Sequence, residues 1–183
     1  MLRKCVKYIA PKKMDRIRLF IEELSKEEST PILTNVYSPV IPQSKICREN
    51  LYNYLHRIKN NNSKVMLIGE APGYHGCRLS GIAFTCEENF TDNIIPGIMG
   101  KGMGYKISSD GKPEKELSAS IVWPKLKDWY KHHGSVPLLW NICPFHPHKE
   151  NDVMSNRTPR KKEIDRGIKY LLDLVDIFDI QYI

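Results

Sequence analysis

Hydrophobic residues recur at helical spacing in four segments of the chain. The pattern predicts helices over about residues 12–26, from Ser44 to about residue 60, over residues 118–133, and after Thr158. Ser44 and Thr158 are the predicted N-caps, and Pro159 takes the first position of the last helix. The predicted buried face of the second helix consists of Cys47, Leu51, Leu55 and Ile58. That of the last helix consists of Ile164, Ile168, Leu171, Leu172, Val175 and Phe178.

Two short apolar runs interrupt the helical pattern. They lie at residues 64–68 and 136–142, and both end in turns that carry glycine, proline or polar residues. Short continuous runs of this kind are typical of strands that are buried on both faces of a parallel sheet. A third strand is predicted to begin at Ile180. Because these strands alternate with helices, the sequence favours an α/β fold with a short, mostly parallel sheet.

Two segments between these elements carry no clear periodicity. Residues 30–43 are rich in proline and are interpreted as an extended connector. Residues 86–117 are rich in glycine and polar residues and are interpreted as a long loop, which in a compact domain is usually functional or mobile. We therefore divide the chain into N-terminal helices with their connector, residues 1–63, and an α/β domain, residues 64–183.

The composition indicates a basic globular protein. The 183 residues suffice for one domain with a core, and no apolar run approaches the roughly 20 residues that cross a bilayer. The formal net charge of +7 favours a polyanionic partner such as nucleic acid, although many basic proteins bind none. The five cysteines form no CxxC pair and indicate the reduced thiols of an intracellular protein. The basic N-terminus lacks the features of a secretory signal and leaves a mitochondrial presequence open.

Chemically functional residues follow both predicted buried strands. Glu70 follows the first strand within the sequence GEAPG at 69–73, and Asn141 ends the second strand. Ligands of parallel sheets bind beyond the carboxyl ends of the strands, so we expect both residues at one rim. A carboxylate there can orient water or stabilise positive charge on a sugar, and an amide offers both a donor and an acceptor. The alternatives are a solvated glutamate in a tight turn and an asparagine that bonds its own backbone.

Aromatic and basic residues elsewhere suggest nucleic-acid contacts. Phe84 follows the first motif and can stack on a base, although core packing is the commoner role of a phenylalanine. Arg160 and Lys161 lie in the first turn of the last predicted helix, where the helix dipole disfavours cations unless an anion such as phosphate is close. Solvated cations are the alternative there. The cysteine and histidines at 143–148 lack the spacing of a zinc site.

Three segments, taken in order, resemble the motifs of the uracil-DNA glycosylase superfamily. They are GEAPGYHGCRLSGIAFT at 69–85, LLWNICPFHPH at 138–148 and NRTPRKKEI at 156–164. Three segments with matching order and spacing are more specific than any single motif, and the resemblance covers roughly residues 64–183. It implies a three-layer α/β/α domain whose short parallel sheet carries the site at one rim. It also implies a DNA-repair enzyme that excises uracil, or a related deaminated base, after flipping it out of the duplex.

The resemblance also implies roles for individual residues. Glu70 would be the catalytic residue, acting on the attacking water or on the sugar cation. Phe84 would stack on the flipped base, and Asn141 would pair with its Watson–Crick edge, since an amide matches the N3–H and O4 groups of uracil. The other base-binding positions would be Gly69, Ala71, Pro72 and Gly73. The DNA-backbone contacts would be made by Asn156, Arg157, Arg160 and Lys161.

The sequence departs from the family pattern in two places. Some branches carry an iron–sulfur cluster on four cysteines, but Phe145 and Gly167 occupy two of those positions here, so we expect no cofactor and no metal. The family's His-Pro-Ser motif is not found before Ile183, so we expect the domain to be incomplete at its C-terminus. The alternative function is therefore a weak or inactive homologue that only binds DNA. We expect a cytoplasmic monomer, associated with the nucleoid in a prokaryote, with DNA as its partner and no membrane association.

Overall fold

The computed structural model describes residues 15–108 and 112–183. The basic N-terminus, Cys5 and the first residues of the first predicted helix lie outside these ranges. The helices are α1 (Arg16–Ser25), α2 (Ser44–Asn60), the single turn α3 (Cys77–Ser80), α4 (Leu117–His133) and α5 (Lys161–Phe178). The strands are β1 (Leu33–Thr34), β2 (Met66–Gly69), β3 (Asn93–Ile95), β4 (Met99–Gly100), β5 (Leu138–Asn141) and β6 (His146–Pro147). No helix within the described residues is long and apolar enough to span a membrane.

A small parallel sheet lies at the centre of the fold. β2 and β5 pair in parallel, with Gly69 opposite Asn141 at their carboxyl ends. On the other side of β2, Tyr182 forms a parallel bridge with Val65, and its carbonyl oxygen accepts a hydrogen bond from the Met66 amide at 2.9 Å. The predicted α/β fold with a short parallel sheet is therefore confirmed, and the third predicted strand contributes a single bridge.

The two central strands are covered to different extents. All four residues of β5 are buried, as the sequence predicts. In β2, Met66 is completely buried but Leu67 is 39% exposed, so the prediction that both faces of this strand are buried is wrong. Successive side chains of a strand point to opposite faces. The described elements therefore cover the face that carries Met66 and leave the face that carries Leu67 partly open.

The predicted buried face of α2 is confirmed, but its predicted N-cap is wrong. The face consists of Cys47, Leu51, Leu55 and Ile58, which are all buried. Gln43 occupies the cap position, and Ser44 is the first residue inside the helix. The Ser44 hydroxyl donates back to the carbonyl oxygens of Ser38 and Ile41, so it closes the preceding turn instead of capping the helix.

The last helix begins later than the sequence predicts. Arg160 has an extended backbone and is the N-cap of α5, so Thr158 and Pro159 precede the helix. The Glu163 carboxylate accepts a hydrogen bond from the Arg160 amide at 2.7 Å and thereby satisfies one of the free donors of the first turn. The predicted cap at Thr158 is wrong because this carboxylate fixes the start of the helix two residues further on.

The buried face of α5 is also rotated from the predicted one. Leu171 and Phe178 are buried as predicted, whereas Ile168 and Leu172 are 39% and 57% exposed. The helix approaches the end of β5 through Gly167, where a Cβ would overlap the carbonyl oxygen of Ile142. A glycine at a close contact is not part of a hydrophobic pattern. The pattern therefore could not indicate that α5 packs through Gly167, and it predicted the wrong buried face for this helix.

The long loop predicted at 86–117 contains regular structure. A 3₁₀ turn (Glu87–Phe90) leads into the antiparallel hairpin of β3 and β4, which places Ile95 and Met99 in the core. Gly100 has a φ of +143°, and a Cβ there would overlap the carbonyl oxygen of Asp92. The interpretation of this part as a loop is wrong, because strands of two or three residues are too short to show an alternating pattern.

The N-terminal helix packs on the α/β domain. The ring of Phe20 in α1 makes edge-to-face contacts with Trp140 in β5 and Tyr170 in α5, at centroid distances of 5.6 and 6.0 Å. The Asp15 carboxylate caps α1 by accepting a hydrogen bond from the Ile17 amide at 3.1 Å. The division of the chain at residue 63 stays a prediction, while the buried side chains of α1 share one hydrophobic core with those of the later elements.

Candidate active site

The carboxyl ends of β2 and β5 bring three predicted site residues together. Gly69 and Asn141 are partners across the sheet. A Cβ on Gly69 would overlap Oδ1 of Asn141 and would lie 2.7 Å from Cζ of Phe84. The amide of Asn141 and the ring of Phe84 therefore converge on one point at the rim of the sheet, and only a glycine fits between them.

Phe84 has a backbone conformation that bulky residues rarely adopt. Its φ is +53°, in the left-handed region. The following residue is fixed by hydrogen bonds: the Thr85 hydroxyl donates to the carbonyl oxygen of Ala83 at 2.9 Å and accepts from Nε1 of Trp123 at 3.3 Å. The Ser80 hydroxyl donates to the carbonyl oxygen of Thr85 at 2.6 Å. Strain of this kind is found at functional sites, and here it accompanies the approach of the ring to Gly69.

Asn141 is only 5% exposed, but its amide is not used by its own turn. The turn after β5 contains the thiol of Cys143, which donates to the carbonyl oxygen of Phe145 at 3.4 Å. Among the described residues, no hydrogen bond joins the Asn141 side chain to the backbone of that turn. The geometry therefore favours the interpretation of Asn141 as a site residue over that of a self-capping turn asparagine.

The amide of Asn141 faces the thiol of Cys77, the first residue of α3. Burial raises the pKa of Cys77 well above its ordinary value, and the nearby carboxyl of Glu116 raises the pKa further. Hydrogen bonds from Tyr37 and Asn141 oppose that rise. Cys77 therefore stays a neutral thiol and forms part of the wall behind the Asn141 amide. It is one of four described cysteines that are buried and free of disulfides.

Glu70 lies on the open side of the same rim. Its side chain is exposed, and among the described residues none forms a hydrogen bond or ion pair with its carboxylate. Its carbonyl oxygen accepts a hydrogen bond from the Cys143 amide at 3.0 Å, which ties the motif to the turn after β5. The chain then turns inward, with Ala71 partly buried and Pro72 buried. The Glu70 carboxylate is thus free to meet a substrate that enters the rim from solvent.

Two histidines support this loop from behind. The imidazole of His146 is fully buried, with Nδ1 at 2.8 Å from the carbonyl oxygen of Pro72 and Nε2 at 2.9 Å from that of Val153. Burial lowers the pKa of His146. His148 lies beside it and contacts the Thr34 hydroxyl at 2.9 Å. Both rings are engaged in hydrogen bonds within the protein. No group of three metal-binding side chains occurs within the described ranges.

A family model described as the uracil DNA glycosylase superfamily matches residues 56–183, which is more than half of the chain. The chain belongs to the uracil DNA glycosylase superfamily. No curated protein sequence matches the chain. Membership agrees with the resemblance carried by the three sequence motifs and indicates a DNA glycosylase.

The third motif of this glycosylase domain is largely engaged within the protein. Oδ1 of Asn156 accepts a hydrogen bond from the Tyr74 amide at 3.1 Å, so it holds the loop that follows GEAPG. The Arg157 guanidinium makes two bonds to the Glu163 carboxylate, at 2.6 and 2.8 Å, and donates to the carbonyl oxygen of Ile32 at 2.8 Å. It also donates to the carbonyl oxygens of His148, at 3.1 Å, and of the adjacent Thr158, at 3.0 Å. These bonds use all five donors of the guanidinium.

The cations at the start of α5 are in a different environment. Arg160 and Lys161 are exposed, and Lys161 makes only a long contact with Asp165, at 3.2 Å, with 88% of its side chain exposed. They line a groove of about 920 Å³ together with Arg166 and the chain at 30–33. This groove does not include Gly69, Phe84 or Asn141, so it is separate from the rim of the sheet.

One residue beside the candidate site was not predicted from the sequence. The carboxyl group of Glu116, directly before α4, packs on the backbone of Gly73 and Gly76, where a Cβ on either glycine would overlap it. Burial raises its pKa, while a hydrogen bond with Ser118 and the nearby His75 oppose the rise. The sequence carries no signal for this contact, because Glu116 lies in a polar segment forty residues from the motif that it touches.

Proposed function

We propose that this protein hydrolyses the N-glycosidic bond of uracil, or of a related deaminated base, in DNA and leaves an abasic site. The observation that carries the proposal is the convergence of the Asn141 amide and the Phe84 ring at Gly69. Superfamily membership supports the reaction class. The convergence supports the recognition of a planar base that presents both a hydrogen-bond donor and an acceptor.

The base-reading step follows from these two side chains. A base flipped out of the duplex stacks on Phe84, and its Watson–Crick edge meets the Asn141 amide. The amide donates to O4 and accepts from N3–H of uracil. Cytosine presents the opposite pattern and leaves two polar atoms of the buried amide unpaired, which is costly in a site that excludes water.

The bond-breaking step uses Glu70. The bond from C1′ to the base breaks as positive charge develops on the sugar, and the base leaves with the electron pair. The exposed carboxylate of Glu70 stabilises that charge and accepts a proton from the water that adds to C1′. Glu70 then releases this proton to solvent and the departing base anion takes one up, so the products are the free base and an abasic sugar.

DNA binding uses the start of α5. Arg160 and Lys161 are exposed at a helix N-terminus, where phosphate oxygens relieve the unfavourable placement of two cations. Asn156 and Arg157 act indirectly, by holding the loop after GEAPG and the segment that leads into the helix. We propose a monomer that acts on genomic DNA within the cell.

Base release from defined oligonucleotides tests the proposed function. The protein is incubated with oligonucleotides that carry one uracil, hypoxanthine or xanthine, in single and double strands, and the free base is identified by mass spectrometry. The Glu70→Gln variant, purified in parallel, controls for contaminating glycosylases. We expect uracil release by the wild type that exceeds that of the variant by about 10²-fold or more. Binding without release from any oligonucleotide would instead support the alternative of an inactive DNA-binding homologue.

A further inference from the structure

Arg78, in the single turn α3, lies where the loop after GEAPG meets the segment that leads into the third motif. Its Nε donates to the carbonyl oxygen of Tyr74 at 2.9 Å, and its Nη2 donates to the thioether sulfur of Met154 at 3.3 Å. Asn156, two residues after Met154, accepts a hydrogen bond from the amide of the same Tyr74 at 3.1 Å. The guanidinium is therefore fixed at the junction of these two segments.

Most donors of this guanidinium have no acceptor among the described residues. Of its five N–H groups, only one on Nε and one on Nη2 are engaged, and a thioether sulfur is a weak acceptor. No described carboxylate forms an ion pair with Arg78. Three N–H groups, including both of Nη1, thus remain for an anion such as phosphate, whose oxygens match the geometry of a guanidinium.

The charge of Arg78 is not neutralised by its neighbours within the described ranges. The side chain is half-buried, and burial lowers its pKa, which the carboxyl groups of Glu87 and Glu114 offset only in part. Both carboxylates are engaged elsewhere. Glu87 accepts a hydrogen bond from the Ser108 hydroxyl at 2.6 Å, and Glu114 contacts Nδ1 of His75 at 3.0 Å. Since a guanidinium stays protonated in proteins, this arrangement favours an anionic ligand from outside.

The position of Arg78 places such a ligand close to the candidate active site. Tyr74, whose carbonyl oxygen binds Arg78, follows Glu70 by four residues, and that length of chain spans at most about 14 Å. Phosphates follow one another at about 3.4 Å along the axis of a DNA strand. A phosphate on Arg78 therefore belongs to a nucleotide within a few positions of the one that meets Glu70.

We propose that Arg78 binds a phosphate of the DNA strand that carries the flipped nucleotide and holds that strand across the loop after GEAPG. This contact is separate from those of the exposed cations Arg160 and Lys161. The proposal rests on the proposed function for the identity of its ligand, DNA, and is independent of the chemical step. The alternative is that Arg78 only supports the loop through its bond to Tyr74, in which case no particular phosphate depends on its charge.

Neutral phosphates test the contact without any reaction. Duplexes with one abasic site carry a single methylphosphonate, placed in turn at about five phosphates on each side of that site. We expect one of these substitutions to weaken binding by the wild type by about 10-fold or more, because a charge-assisted hydrogen bond is lost. Arg78→Gln should bind the unmodified duplex more weakly by the same factor. It should lose no further affinity when that phosphate is neutral.

Arg48 of α2 provides a matched control. It is also half-buried, and no described carboxylate forms an ion pair with it. Its Nη1 donates to Tyr37 and Ser44, which belong to neither of the two segments that Arg78 joins. Arg48→Gln should therefore respond to every methylphosphonate as the wild type does.

Two further variants separate phosphate binding from support of the loop. Asn156→Ala releases the Tyr74 amide without changing any charge, so it should keep the wild-type penalty at the sensitive phosphate. Arg78→Lys serves if Arg78→Gln does not fold. Its penalty there should be smaller than that of the wild type, because lysine binds phosphate as a point charge. Equal penalties for wild type, Arg78→Gln and Arg78→Lys at every phosphate would refute the proposal.

Uracil release by the wild type, measured separately on the corresponding uracil duplex, distinguishes the two proposals. Absence of release together with a phosphate whose contribution depends on Arg78 would refute the proposed function and support the contact. Release together with equal penalties for all variants would support the function and refute the contact. Absence of affinity for either duplex would refute both.

Discussion

The rim of the parallel sheet and the start of α5 both carry residues that the sequence marks as functional, but they differ in how those residues are used. At the rim, the Glu70 carboxylate has no partner among the described residues, and the Asn141 amide is not bonded to its own turn. At the start of α5, every donor of Arg157 is engaged with the protein. The rim thus leaves polar side chains free to bind a substrate. At the start of α5, the Arg157 guanidinium instead stabilises the protein's own structure.

This difference shows what a residue type can and cannot indicate. Arginine in a basic motif suggests a phosphate contact, yet Arg157 and Glu163 form an ion pair with 18% and 10% of their side chains exposed. An internal pair of this kind holds the segment in place and leaves phosphate binding to its exposed neighbours, Arg160 and Lys161. A basic side chain is a candidate for substrate binding only if its donors are free. One whose donors are engaged within the protein, like Arg157, positions its neighbours instead.

The largest effect is expected from a methyl group at the rim. Gly69→Ala places a Cβ on Oδ1 of Asn141 and the Phe84 ring, so both must move. Small displacements in a site of this kind lower the rate by about 10²-fold or more. Uracil release under single-turnover conditions measures the decrease, with Ile68→Val in the same strand as the control. Full activity of Gly69→Ala would show that the rim does not read the base.

The next effect concerns Arg157 and separates its two possible roles. Arg157→Met leaves the buried Glu163 carboxylate unpaired and should lower the free energy of unfolding by about 3 kcal/mol. Arg160→Met, at an exposed position, should change it by no more than about 0.5 kcal/mol. Urea denaturation measures both. If the Arg157→Met protein is as stable as the wild type and its DNA binding depends less on salt, Arg157 contacts DNA and does not stabilise the fold.

A smaller decrease is expected when the stacking ring is removed. Phe84→Ala should weaken uracil excision by about 5- to 150-fold, which corresponds to the 1–3 kcal/mol of a base stacked on an aromatic ring. Binding to DNA that already contains an abasic site should not change, because no base is present to stack. An equal drop in affinity for uracil-containing and abasic DNA would indicate that Phe84 only supports the fold.

The smallest effect is expected at the start of α5. Neutralising Arg160 and Lys161 by glutamine should reduce the slope of log affinity against log salt by up to about 0.9 for each phosphate that the protein no longer neutralises. The exposed Lys125 and Lys127 of α4, changed in the same way, are the matched control. If both double variants keep the wild-type slope, the cations of α5 are merely solvated.

Much of the fold and part of the site could be predicted from the sequence. The apolar run that ends in Gly69 and the one that ends in Asn141 give neighbouring parallel strands, so their carboxyl ends meet. The exposure of Leu67 could not be predicted, because it depends on which elements cover each face of the strand. The start of α5 could not be predicted, because it is fixed by the carboxylate of Glu163, three residues after the N-cap. Glu116 could not be predicted either, since its contact with Gly73 and Gly76 arises only when distant segments fold together.

The most direct test of the account is the Asn141→Ala variant. Uracil release under single-turnover conditions and affinity for an abasic oligonucleotide are measured with the same preparation. If Asn141 reads the base, excision should fall by at least about 10²-fold, because the variant lacks the donor and acceptor that match uracil. Affinity for abasic DNA should stay close to that of the wild type. Unchanged excision, or an equal decrease in both measurements, would contradict the assignment of Asn141 as the base-reading residue.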